Sequence, residues 1–147
     1  MTIIAVKDDV MAADSVANAG GRLYPVLVPK IARGPNGIAG ATGSTSDCVA
    51  FLAWFAAGEC GDKPAYTGAG DEEMQAIVLR PDGTLWRYGA KELPFQVTNP
   101  YAVGGGYAWS FCEGAMLAGK SAEEAVALTI EHFSTVGGKV QVERLAR

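Results

Sequence analysis

Thr2-Ile3-Ile4-Ala5-Val6-Lys7-Asp8-Asp9-Val10-Met11-Ala12-Ala13-Asp14-Ser15 opens the chain with two apolar runs on either side of an acidic pair. The first run, residues 2–7, is rich in β-branched side chains and reads as a strand. Residues 10–13 read as a second strand, with Asp8-Asp9 as the tight turn of a hairpin. Further on, Leu23 to Ala32 reads as a third strand region, made irregular or edge-like by Pro25 and Pro29. Pro35-Asn36-Gly37 is a turn signal, and residues 37–42 are a short strand of small residues. Ser44-Thr45-Ser46-Asp47 supplies N-cap chemistry for a helix carrying Val49, Phe51, Leu52, Trp54 and Phe55, ended by Gly58.

Residues 59–74 are a polar, Gly-rich loop. Residues 75–80 and 84–88 are two strands about Pro81-Asp82-Gly83, the clearest hairpin in the chain. Residues 100–103 form another short strand and run into Gly104-Gly105-Gly106. A helix follows from about Tyr107 to Leu117, closed by Gly119. Ser121-x-x-Glu124 is a capping box for a last helix reaching about Phe133. Gly137-Gly138 then leads into a final strand, residues 140–145. Hairpin-linked strands with grouped helices make the α+β pattern. Two antiparallel sheets between helix layers would bury all these faces, although periodicity alone does not select that arrangement.

The 147 residues suit one domain, spanning 1–147, and 49% apolar with 19% charged residues describes a folded globule. A net charge of −4 with 12 scattered Lys and Arg residues argues against nucleic acid as a partner. Residues 48–58, bracketed by Asp47 and Glu59, reach only half the roughly 20 apolar residues of a helical membrane span. The first residues lack the pattern of a signal peptide. Cys48, Cys60 and Cys112 show no metal-ligand spacing, and with a single histidine in the chain no metal or cofactor is expected. The expected setting is cytoplasmic, with reduced thiols. His132 lies in a helix with no nucleophile motif near it and is expected at the helix surface. An enzyme here would take its base elsewhere.

Three features invite a chemical reading. Thr2 follows Met1, and so small a second residue permits methionine removal. The exposed residue would carry a hydroxyl nucleophile and an α-amine of pKa about 7.7–8 as base. Lys30 lies within the apolar stretch 26–31, where burying it requires a carboxylate. Asp14, at the end of an apolar strand, is the candidate; a lysine pointing to water is the alternative. Residues 40–45, Gly-Ala-Thr-Gly-Ser-Thr, end a strand and enter a helix, where backbone N–H groups can stabilise an oxyanion or merely form a turn.

In this order, Thr2 to Lys7, Val10 to Ser15, Lys30-Ile31 and Gly40 to Gly43 resemble the proteasome β-subunit group of N-terminal-nucleophile hydrolases, including the bacterial proteasome-like peptidases that work with a heat-shock ATPase. Short bacterial and phage-type members look most similar. The Arg80-Pro81-Asp82-Gly83 hairpin and the Gly-Gly-x-Val-x-Val run at 137–142 fit as well, so the resemblance covers nearly the whole chain. It implies a four-layer αββα sandwich and a threonine peptidase acting on peptides or unfolded proteins in a self-compartmentalising homo-oligomeric ring, with an ATPase unfoldase as possible partner. It assigns Thr2 as nucleophile, Asp14 and Lys30 as the ion pair beside it, and Gly43 as the oxyanion N–H. Ala17, Asn18, Val28, Ala32, Ala41 and Thr45 fall at substrate-binding positions, and these mostly small or apolar residues imply an apolar substrate side chain.

Three positions depart from the group. Its serine in the Gly-rich turn reads Gly105 here, and its Asp-x-x-Ser-Gly-Gly segment reads Phe133-Ser134-Thr135-Val136-Gly137-Gly138. Since those groups orient the threonine amine and its proton route, their replacement leaves two alternatives: a catalytically impaired scaffold or assembly subunit, and an amidase of the same fold acting on small molecules. Trp54, Phe55, Trp109 and Phe111, at helical spacing, read as core packing or as subunit contacts.

Overall fold

A strand that is apolar on both faces must be covered on both, and the first hairpin has that character: Ile3 to Val6 and Met11 to Ala13 are all fully buried. The computed structural model describes residues 1–19, 22–24 and 29–146. In chain order the strands are β1 (Ile3–Lys7), β2 (Val10–Ala13), β3 (Ala17–Ala19), β4 (Arg22–Tyr24), β5 (Ile31–Gly34), β6 (Gly37–Thr42), β7 (Gln75–Leu79), β8 (Leu85–Gly89), β9 (Phe95–Val97), β10 (Tyr101–Gly104) and β11 (Gln141–Arg144). The helices are α1 (Thr45–Ala56), α2 (Ala108–Leu117) and α3 (Ala122–His132).

Two antiparallel sheets result, in the orders β10-β1-β2-β11 and β5-β6-β7-β8-β9, with β3 and β4 forming a separate ribbon. Ile4, Val6, Met11 and Ala13 of the first sheet meet Ile31, Ile38, Ile77, Leu79 and Leu85 of the second in one apolar layer. Ile3, Ala5 and Ala12 face the other way, onto Cys112 and Met116 of α2 and Ala125 and Val126 of α3. The outer face of the second sheet, with Ala39, Ala41, Ala76 and Val78, is covered by Phe51, Leu52 and Phe55 of α1. These are the four αββα layers that the resemblance implied. At Gly40 the sheets approach so closely that an added Cβ would lie 2.8 Å from Ile4 Cγ2.

Most element boundaries agree with the sequence reading to within a residue or two. The capping box is present: Ser121 Oγ accepts from Glu124 N–H at 3.1 Å and Glu124 Oε1 from Ser121 N–H at 3.0 Å. The strand region expected over residues 23–32 is instead divided. β4 ends at Tyr24, Pro29 and Lys30 lie outside any strand, and β5 begins at Ile31. Proline has no N–H for a ladder, so pairing starts after it; residues 25–28 lie outside the described ones. α1 starts where expected, but Ser44 does not cap it through its side chain, its hydroxyl lying 3.1 Å from that of Ser46.

Asp47, in the first turn of α1, is buried and its carboxylate ties down the Gly-rich loop, accepting from Thr67 N–H at 3.2 Å and Gly68 N–H at 2.8 Å. That loop continues to Glu72, whose carbonyl accepts from Ser44 N–H at 3.0 Å, so Asp47 also steadies the junction between β6 and α1. Replacing Asp47 by Ala leaves those loop N–H groups without their acceptor. The expected cost is about 1–3 kcal/mol in urea denaturation, together with faster proteolytic nicking within residues 59–74, whereas unchanged nicking would show the loop to be held by other contacts.

Candidate active site

β1 delivers Thr2 to the rim of the molecule. Thr2 precedes the paired residues Ile3↔Gly104 of β1 and β10, and its carbonyl accepts from Gly105 N–H at 3.3 Å. Asp14 follows β2 directly and is fully buried. Its Oδ1 accepts from Ile3 N–H at 3.0 Å and from Lys30 Nζ at 2.8 Å, and its Oδ2 from Gly137 N–H at 3.1 Å. Lys30 precedes β5 in the other sheet and is 5% exposed, so the outward-pointing alternative is excluded. Its ammonium also donates to the carbonyls of Val16 at 2.7 Å and Met1 at 3.3 Å. The Met1 carbonyl is bonded to the Thr2 nitrogen, so the buried ion pair abuts the first peptide bond.

Electrostatics follow from this burial. Removal from water lowers the Lys30 ammonium pKa below the usual lysine value, with Asp14 opposing that shift by charge and hydrogen bond. The chain's own α-amine, on Met1, is lowered by burial first and then by the Lys30 charge, again against Asp14. An amine in this corner is thus biased toward its neutral, proton-accepting form.

Gly43 lies between β6 and α1 at φ +127°, a conformation that side-chain-bearing residues rarely adopt, and a Cβ there would sit 2.9 Å from the Glu73 carbonyl and Met74 Cα. Of the expected substrate-binding positions, Ala41 is buried and Ala32 half-buried, both on the α1 side of the second sheet. Thr45 is exposed at the first residue of α1. Ala17 and Asn18 belong to β3, paired with Tyr24 and Leu23. Val28 lies outside the described residues.

Two nearby residues escaped the sequence reading. Cys48 packs on the same cluster as Ala32 and Ala41. Burial and then Asp47 push its thiol up to about 12 against the pull of Lys30, which keeps it an inert thiol. Its signal was its place three positions after Thr45, on one helix face. Gln141 hydrogen-bonds to the backbone of both Asp14 and Lys30, and no local pattern announces it. His132 is exposed, 5.6 Å from the Phe111 ring. Among the described residues, no three of His, Cys, Asp and Glu are placed to hold a metal ion, and no helix is long and apolar enough to cross a membrane.

The three departing positions have apolar or open surroundings. Phe133 stacks edge-on against Phe111 at 5.3 Å, Val136 is buried in the helix-side core, and a Cβ on Gly105 would meet Met1 Sδ at 2.9 Å.

Neither a protein-family model nor a curated protein sequence matches the chain. Solved structures do. Thiobacillus denitrificans BPH superposes with a TM-score of 0.72 at 19% identity, covering 99% of both chains. The same protein in complex with epoxomicin gives 0.66 at 19% identity and 99% coverage of both. Eukaryotic HslV from Trypanosoma brucei gives 0.68 at 18% identity, covering 97% of this chain and 98% of that one. The fold is proteasome-like. Within that fold Thr2, Asp14 and Lys30 converge at the end of β1.

Replacing Asp14 by Asn leaves the buried Lys30 ammonium without a counter-charge, at an expected cost of about 3–5 kcal/mol near pH 7. Because Asp14 raises the Lys30 pKa, its loss lowers that pKa further, and the penalty should shrink as pH rises from the variant's Lys30 pKa to the wild-type one, above which the amine is neutral in both folded proteins. Urea denaturation across that range checks both the size and the sign.

Proposed function

We propose that this chain, once Met1 is removed, is an N-terminal threonine hydrolase that cleaves peptide bonds in a self-compartmentalising homo-oligomer. The observation that carries the reading is the buried Lys30 ammonium, 2.8 Å from Asp14 and 3.3 Å from the carbonyl joined to Thr2.

In this reading the Thr2 hydroxyl attacks the scissile carbonyl carbon and passes its proton to the freed Thr2 amine. The oxyanion of the tetrahedral intermediate accepts from Gly43 N–H. The protonated amine gives its proton to the leaving nitrogen, and the acyl group stays on Thr2 Oγ1 as an ester. Water, deprotonated by the same amine, then attacks that ester; its C–O bond breaks, the acid is released, and the ammonium returns the proton to Thr2 Oγ1. Lys30 does not take the proton. Burial and then the Lys30 charge lower the pKa of an amine in this corner and so favour the neutral form a base needs, and Asp14 holds Lys30 in place. Ala32, backed by the buried Ala41, forms part of a small apolar surface that takes an apolar substrate side chain, with Ala17, Asn18, Val28 and Thr45 as its other proposed neighbours. Trp109 and Phe111, 42% and 38% exposed on α2, are available for subunit contact, and an ATPase unfoldase is the proposed supplier of unfolded substrate.

A second reading, a scaffold subunit of the same fold without turnover, is favoured by the apolar settings of Phe133 and Val136. Thr2→Ala separates the two. Untagged protein whose intact mass shows loss of one methionine should hydrolyse fluorogenic peptidyl amides and form a covalent adduct with epoxomicin, the compound bound by the BPH neighbour. Thr2→Ala should lower kcat by about 10⁴-fold or more, abolish the adduct and leave assembly intact. Activity should rise as pH passes up through an amine pKa lying below about 7.7–8. A mature protein with neither turnover nor adduct leaves the scaffold reading standing.

A further inference from the structure

Asp14 follows a strand of one sheet and Lys30 precedes a strand of the other, and the layer between those sheets is apolar. Apolar contact is non-directional and does not fix two backbones to the tolerance of a hydrogen bond. The pairing of each residue within its own sheet does not by itself set the gap between their backbones; the Arg33–Glu143 pair that also joins β5 to β11 lies at the exposed rim, at 2.8 Å. Lys30 carbonyl accepts from Ala41 N–H at 3.1 Å, tying it to β6, and Asp14 N–H donates to Ile3 carbonyl at 3.3 Å, tying it to β1.

Gln141 closes that gap. It opposes Ala13 on β11, while Val140 and Val142 pack toward the helix-side core, so alternation turns Gln141 toward the second sheet. Its Nε2 donates to the Asp14 carbonyl at 3.2 Å, and its Oε1 accepts from the Lys30 backbone N–H at 3.1 Å. One carboxamide thus joins the main chains of both members of the ion pair.

We propose that Gln141 is a positioning residue for the threonine site: its carboxamide sets the separation of the Asp14 and Lys30 backbones and thereby holds the Lys30 ammonium against Thr2. The inference rests on the hydrolase reading above. The group must donate and accept at once. Leucine does neither, and an ionised glutamate accepts but cannot donate.

The test compares Met1-free wild type, Gln141→Leu and Gln141→Glu by kcat and KM on a peptidyl amide from about pH 5 to 8, and by NMR of the Lys30 ammonium in lysine-labelled protein. In Gln141→Leu, kcat should fall roughly 10- to 100-fold with little change in KM, and the slowly exchanging Lys30 ammonium resonance should disappear. Gln141→Glu should match that loss near pH 8 and recover toward wild type as pH falls through the pKa of its carboxyl, which partial burial beside the Asp14 carboxylate raises above the usual value of about 4.3, because the protonated carboxyl regains a donor. A role confined to stability would give no such pH-dependent rescue. Gln141→Leu with unchanged kcat and an unchanged ammonium resonance overturns the proposal. If that variant does not fold, the nearly isosteric Gln141→Glu decides alone, and the absence of recovery at low pH overturns it. If wild type turns nothing over, the hydrolase reading fails by itself; the resonance then tells whether Gln141 holds the pair, its loss in Gln141→Leu supporting that part and its persistence refuting it.

Discussion

The buried contact between Lys30 and Asp14 is the constraint around which the rest of the molecule is arranged. Moving an ammonium and a carboxylate out of water costs several kcal/mol per ion, and their attraction offsets this only when the remaining polar atoms are also satisfied. Here they are. Asp14 accepts from Ile3, Lys30 and Gly137, and Lys30 donates to Asp14, Val16 and the Met1 carbonyl. These partners come from both ends of the chain and from both sheets. The four-layer fold is therefore the means of bringing them together, and its apolar layers supply the low dielectric that makes the charges act strongly on each other.

That arrangement sets the buried charges against the first peptide bond. A pair of this kind is weak support for stability, since an apolar pair of similar volume does as well or better. Its effect on a neighbouring amine is specific. Burial and the Lys30 charge both disfavour an added proton there, and Asp14 only partly opposes them. The single histidine is exposed, and the α-amine is the base in this corner that burial and charge push toward its neutral form.

The fold was legible where local chemistry is decisive. Short apolar runs about an acidic turn marked β1 and β2, Pro81-Asp82-Gly83 marked the β7–β8 hairpin, and Ser121 with Glu124 marked α3. β3 and β9 were missed because three-residue strands, one of them Ala-Asn-Ala, carry too little periodicity to read. The division of the region after Leu23 was foreshadowed by Pro29 but not placed. Within the site, Asp14 and Lys30 stood out as charges in apolar surroundings. Gln141 did not, because its partners are backbone groups 111 and 127 positions away. Only the register of β11 beside β2 reveals that a carboxamide between two valines faces the ion pair.

The same register bears on the positions where the sequence departs from the group it resembles. Phe133 and Val136 are absorbed into the helix-side core, so neither offers a polar atom to orient the threonine. The polar contacts in this corner come instead from main-chain atoms at Val16 and Gly137 and from the side chain of Gln141. Backbone groups are fixed once the strands pair, and they neither titrate nor change rotamer. A site supported in this way depends more on the relative placement of the sheets than on further side chains. The small residues at the sheet interface, Gly40 and Ala13, then matter to the site as well as to packing: they let the sheets close far enough for one carboxamide to span them.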